Sequence, residues 1–300
     1  MTQSKDNVVK KSAVSCLAAI TELSDVHQDM RRKDLMEALI RTISAEEVFE
    51  IQDEAAFAIA NLAKDFSNKA DIRKSGGIKA LVKLLESQDP DVKKNSALAL
   101  SFLLDDFSNR TEIRYVGGIA PLLDLISSDY QEVQENALQS LILCAEDFGN
   151  RAEIRKVGGI RRFLDLLMLD KPDNHQLALQ CLFNCLEEVE SANVLADSNG
   201  MAILFRLVQS DEPKIKRFAS FCVSRAAKAE RNQVAAREAG ILQALVTNIS
   251  SSDASVISSS AQALGNLSKN NGKLKSPRQL LYRISCLYNC YTRCQPNRIV

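Results

Sequence analysis

The chain has 300 residues, 46% of them hydrophobic and 25% charged, the make-up of a soluble folded protein. Its 38 basic and 38 acidic residues cancel, so no broad field favours nucleic acid. No run of about 18 uncharged apolar residues occurs, and the start MTQSKDNVVKK lacks the apolar core of a secretory signal. A cytoplasmic address without stable membrane insertion is therefore expected. Of eight cysteines, five (Cys16, Cys144, Cys181, Cys185, Cys222) fall in apolar helical patterns, where a reduced thiol acts as a small hydrophobe. Only His27 and His175 are present, which leaves little room for His-dependent catalysis or a His-rich metal site.

In chain order, DFSNKADIRKSGGIKALVKLL, DFSNRTEIRYVGGIAPLLDLI and DFGNRAEIRKVGGIRRFLDLL begin at Asp65, Asp106 and Asp147, a step of 41 residues. The second glycines, Gly77, Gly118 and Gly159, continue in phase to Gly200 and, one residue early, to Gly240. Pro90, Pro172 and Pro213 share a second phase, with Gln131 in the missing step. Each unit reads as three helices. A short one has Asn68, Asn109 or Asn150 at the N-cap and Asp71, Glu112 or Glu153 three residues on, as in a capping box. Glycine ends it, because a left-handed turn costs glycine no Cβ clash. A medium helix follows, with stripes Ile78/Leu81/Val82/Leu85, Ile119/Leu122/Leu123/Ile126 and Ile160/Phe163/Leu164/Leu167 at helical spacing. A long helix then starts near the proline position and carries the column Ile59, Leu100, Leu141, Leu182, Val223, Leu264. No strand pattern is present.

A three-helix unit with a glycine corner and long helices reading AAFAIANLA from Ala55 or AQALGNLS from Ala261 resembles the armadillo repeat. The resemblance covers roughly residues 8 to 271 as six units, the first incomplete, plus a last long helix, and assigns residues 1–271 to the solenoid. It implies an all-α, right-handed solenoid whose long helices line a concave side. The run DPDVKKNS from Asp89 resembles a cilium- and sperm-associated member of the family, which implies a ciliary or flagellar setting. The family's groove column reads Asn61, Phe102, Leu143, Asn184, Arg225, Asn266; asparagine there clamps an extended peptide backbone by donating and accepting together. Import adaptors of this fold place Trp four residues earlier, where this chain has Phe57, Leu98, Gln139, Gln180, Phe221 and Gln262. The reading is a monomeric, non-enzymatic scaffold that binds an extended protein segment at Asn61, Phe102, Asn184, Phe221, Arg225 and Asn266, without cofactor, metal or nucleic acid. A nuclear-transport adaptor for basic peptides is the alternative.

The same side chains have a purely structural reading. Phe102 and Leu143 fit a core, Asn184 fits a turn, and Arg225 fits a tie to Glu187 or Glu188 of the preceding unit. The acidic phase Asp65, Asp106, Asp147, Glu188, preceded by Asp105, Glu146 and Glu187, serves either to cap the adjoining turn or to form an acidic edge. Lys214, Lys216, Arg217, Arg225 and Lys228 crowd one long helix. Phosphate-loop, nucleophile-elbow and HExxH motifs are all missing. Residues 272–300 break the period, with six basic and no acidic residues and Cys286, Cys290 and Cys294 spaced by four. A cap formed by Leu280, Ile284, Leu287 and Tyr291 is the preferred reading of this tail, ahead of palmitoylation or zinc.

Overall fold

The structure, a computed structural model, describes residues 4, 6–32, 35–44, 47–169 and 172–268, so the tail lies outside the described residues. Among these all regular structure is helical. The chain forms two compact units, residues 1–159 and 160–300. The first contains α1 (Asn7–Thr21), α2 (His27–Arg32), α3 (Leu35–Ser44), α4 (Phe49–Ala63), α5 (Phe66–Lys74), α6 (Gly77–Leu84), α7 (Pro90–Leu103), α8 (Phe107–Tyr115), α9 (Ile119–Leu125), α10 (Gln131–Cys144) and α11 (Phe148–Lys156). The second contains α12 (Gly159–Met168), α13 (His175–Cys185), α14 (Val189–Asp197), α15 (Gly200–Val208), α16 (Pro213–Ala226), α17 (Glu230–Glu238), α18 (Ile241–Asn248) and α19 (Ala254–Ser268).

Within the first unit the long helices α1, α4, α7 and α10 pack in sequence, the medium helices α3, α6 and α9 lie against α4, α7 and α10, and the short helices α5, α8 and α11 form a row. Within the second, α13 packs on α16 and α16 on α19. A lone three-helix unit cannot bury its own apolar stripe, so neighbours share a core. The long-helix column accordingly has zero exposure at all six positions, and every medium-helix stripe residue is buried. Cys144, Cys181, Cys185 and Cys222 are buried with it, and burial pushes the Cys222 thiol far up. Cys16 departs from expectation: it is exposed on α1, which packs on α4.

The glycine corner divides its two jobs between adjacent residues. Gly76, Gly117, Gly158 and Gly240 have φ of +75° to +82°, and Asn199 holds the same place at +53°, so the left-handed column keeps an unbroken 41-residue step. Gly240 therefore belongs with the first glycines. The second ones have ordinary backbone but no space: a Cβ on Gly118 would lie 2.7 Å from Ile113 Cδ1 and from Val82 Cγ2.

The N-caps lie three residues before the asparagines. Asp65 accepts from Ser67 N at 2.9 Å, Asp106 from Ser108 N at 2.8 Å and Asp147 from Asn150 N at 2.9 Å. Of the acidic phase, these three aspartates cap; Glu188 occupies the same place before α14 without a capping bond. The asparagines sit inside the short helix, wholly buried, and donate to carbonyls: Asn68 to Leu62 at 2.9 Å, Asn109 to Leu103 at 2.8 Å, Asn150 to Arg110 at 2.8 Å. The capping-box partners face lysines one turn on, Asp71 with Lys74 and Glu153 with Lys156.

His175, the first residue of α13, is 6% exposed with Nε2 3.0 Å from the Leu169 carbonyl. Burial holds its pKa below the usual imidazole value; the bond to the Leu169 carbonyl and Glu212 oppose this shift, and Arg206 adds to it. The folded chain thus keeps the ring neutral where the unfolded chain takes up a proton. Its contribution to stability is present above about pH 6.5 and is lost as pH falls through the folded pKa. Melting temperature should drop on going from about pH 7.5 to about pH 5.5, and His175→Gln should flatten that slope; equal slopes for both proteins would refute the assignment.

Candidate partner-binding site

The long-helix column splits into residues used inside the stack and residues presented at its surface. Asn61 is 2% exposed: its amide donates to Thr21 Oγ1 at 3.3 Å and its oxygen accepts from Lys64 Nζ at 2.7 Å. It ties α4 to α1. Phe102 is half-buried, with the Lys64 ammonium 5.7 Å from its ring centre.

In the second unit the predicted residues gather on neighbouring helices. Phe221 of α16 lies 5.6 Å, ring to ring, from Phe183 of α13 and 6.5 Å from Phe218. All three rings are half-buried. The Arg225 guanidinium stacks 3.4 Å from the Phe183 ring centre, donates to the Phe183 carbonyl at 2.6 Å and pairs with Glu187 at 3.2 Å. Lys228 reaches the same Glu187 carboxylate at 3.1 Å. The fork of Arg225 thus ties α16 to α13, the structural alternative open in the sequence. Asn266 of α19 is half-buried and donates to the Ser224 carbonyl at 3.2 Å and its hydroxyl at 2.8 Å. Asn184 is half-buried on α13 beside Phe183.

Two contributors escaped sequence reasoning. Phe183 supplies the ring under Arg225, and Phe218, with Arg217 4.6 Å from its centre, extends the aromatic surface. Phe183 adjoins the Asn184 column, and Phe218 lies three residues before Phe221, so helical spacing holds the signal. Stacked arginine over aromatic rings adds attraction beyond area burial, of about 0.5–2 kcal/mol. Elsewhere, the displaced titrations are those of Asp53, raised by burial beside Asn95, and of Lys94, Asp105 and Asp253, held in their charged forms by hydrogen bonds. They build caps and ties: Asp53 bonds Asn95, Lys94 bonds Asp91, Asp105 pairs with Lys69 and Asp253 caps α19.

Among the described residues no helix is long and apolar enough to cross a membrane. Residues 65–103 and 230–269 match the family model of the armadillo/beta-catenin-like repeat. A 91-residue stretch is 33% identical to armadillo repeat-containing protein 3 of Homo sapiens, covering 30% of this chain but only 10% of that protein. The crystal structure of an engineered protein superposes with TM-score 0.83 at 26% identity, over 96% of this chain and 70% of its own. A designed armadillo repeat protein in complex with the peptide (KR)4 superposes with TM-score 0.72 at 18% identity, over 77% and 99%. Its repeat, its glycine corner and these likenesses show an all-helical fold of armadillo type, with armadillo/beta-catenin-like repeats at residues 65–103 and 230–269.

Proposed function

We propose that the chain is a non-enzymatic protein-binding scaffold whose long helices hold an extended segment of a partner, with Asn184, Phe221, Arg225 and Asn266 as contacts in the second unit. The observation that carries this reading is the half-buried cluster of Phe183 on α13 with Phe218 and Phe221 on α16, on which Arg217 and Arg225 of α16 stack. Half-buried aromatic and arginine side chains are the groups that dominate partner binding when covered. Phe102 of the first unit offers an apolar contact of the same kind. The surplus of Lys214, Lys216, Arg217 and Lys228 on and after α16 supports an acidic segment over a basic one, and so favours a scaffold over an import-type adaptor. The resemblance to a cilium- and sperm-associated member supports work in a ciliary or flagellar assembly of the cytoplasm.

Random decapeptides displayed on phage and panned on the full chain test the site. Enriched sequences should be extended, carry Asp or Glu beside an apolar residue, and lose at least tenfold affinity on Phe221→Ala or Asn266→Ala. Selection of Lys/Arg-rich sequences would support the adaptor. Binding indifferent to both substitutions would remove the site. Arg225→Glu should lower the melting temperature as well, because it sets a second carboxylate against Glu187 and removes the bond to the Phe183 carbonyl. If it unfolds no sooner than the parent, Arg225 is not the tie described above.

A further inference from the structure

Phe66, Phe107 and Phe148 are the first residues of α5, α8 and α11, and they are 64%, 66% and 69% exposed. They stand on consecutive helices of one row, at the 41-residue step. The core needs none of them: Ile72, Ile113 and Ile154, six residues further along each helix, have zero exposure and do the packing. In the second unit the column changes to Val189 and Glu230, so the aromatic ladder belongs to the first unit. Scattered exposed apolar residues need no explanation, but three large rings repeated on one edge do.

The charge beside the ladder has a direction. Asp105 pairs with Lys69 at 2.8 Å and Glu146 with Arg110 at 2.6 Å. The carboxylate side chains are 62% and 46% exposed, their cations only 5% and 13%. A partner approaching this edge therefore meets exposed rings and exposed carboxylates, with the paired Lys69 and Arg110 largely buried and Lys69 and Arg151 lying 5.4 and 5.8 Å from the Phe66 and Phe148 ring centres.

Spacing selects the partner's conformation. Packed helices lie about 8–10 Å apart, which sets the interval between rings. A partner α-helix rises about 1.5 Å per residue, so it meets a ring about every five to seven residues, and of these spacings only residues seven apart stay on one face, drifting by about 20° around its axis. An extended strand rises about 3.3 Å per residue and would meet a ring every third residue, but its successive third residues point to opposite faces. We propose that the Phe66–Phe107–Phe148 edge docks an amphipathic α-helix of a partner protein, presenting apolar residues at heptad spacing flanked by Lys or Arg. This surface lies on the short helices and is independent of the long-helix site.

A phage library of 21-residue peptides of high helical propensity, panned on the full chain, tests it. Enriched sequences should place apolar residues seven apart with Lys or Arg beside them. Their affinity, measured by fluorescence anisotropy, should fall at least tenfold on the triple change Phe66→Ser, Phe107→Ser, Phe148→Ser, and measurably on Phe107→Ser alone. It should also weaken with added salt. Melting curves of both variants should match the parent, because the rings are exposed. Binders without heptad spacing, binders that keep their affinity for the triple variant, or no enrichment at all would each overturn the proposal. So would a parent that sediments as a dimer dissociated by the triple change, which would make a second copy the occupant. Loss of binding here with decapeptide binding retained at Phe221, or the reverse, separates the two surfaces.

Discussion

Gly118→Val is expected to destabilise the first unit by about 3 kcal/mol, the upper end of overpacking in a filled core. For a unit of this size that lowers the melting temperature by roughly 6–12 °C. The added Cβ would lie 2.7 Å from Ile113 of its own repeat and 2.7 Å from Val82 of the repeat before, and the two γ-methyls have no free volume to enter. Because Val82 is on α6 and Gly118 immediately precedes α9, relief requires two repeats to part, and stability in stacked repeats is carried by such interfaces. Gly117→Val would act differently. A Cβ there meets nothing within 4 Å, but φ is +75°, so the cost is backbone strain of about 1–3 kcal/mol. A melting temperature for Gly118→Val within about 2 °C of the parent would contradict the corner geometry.

Asn109→Leu is expected to cost a similar amount while keeping the number of side-chain heavy atoms. Asn109 has zero exposure, donates to the Leu103 carbonyl at 2.8 Å, and accepts from Arg73 Nη1 at 2.8 Å. Leucine would remove the shorter of two bonds at the Leu103 carbonyl, which keeps the one from Asp106 N at 3.2 Å, and a charge-assisted bond between repeats, together about 3 kcal/mol. Glu112→Ala should stay within about 0.5 kcal/mol, since the cap of α8 is Asp106. Were Asn109 and Glu112 a capping box, both substitutions would cost about 1 kcal/mol instead. Urea unfolding of the two variants side by side distinguishes these outcomes.

The architecture was legible because it is periodic. Helical spacing with glycine and proline punctuation marked the corners from Gly76 onward, and the predicted stripes and long-helix column are buried. What periodicity cannot supply is the identity of a partner one repeat away. Asp65 and Asn68 are both cap-forming residue types three positions apart, and only the packing of the Asn68 amide against the Leu62 carbonyl shows which one caps. Asn61 and Asn266 look equivalent in sequence, yet Asn61 is enclosed between Thr21 and Lys64 while Asn266 stays half-buried at the surface. The first phenylalanine of each DF motif was in plain view; six residues from the buried isoleucine, or 600° of helical rotation, it lies well off the packed face.

The ties between neighbouring repeats join residues at a constant distance along the chain. Lys69 to Asp105, Arg73 to Asn109, Arg110 to Glu146 and Arg114 to Asn150 are each separated by 36 positions. Excision of residues 66–106 would therefore splice Asp65 directly to Phe107 and regenerate a complete DFSN corner. Asn136 would move into register to face Asp53 in place of Asn95, and Ile40, the neighbour of Gly77, would meet Gly118 instead. Loss of 40 or 42 residues would leave every one of these partners out of step. Gain or loss of one whole period is thus the length change that keeps every joint in register, so the array can be lengthened or shortened module by module without redesigning a single one.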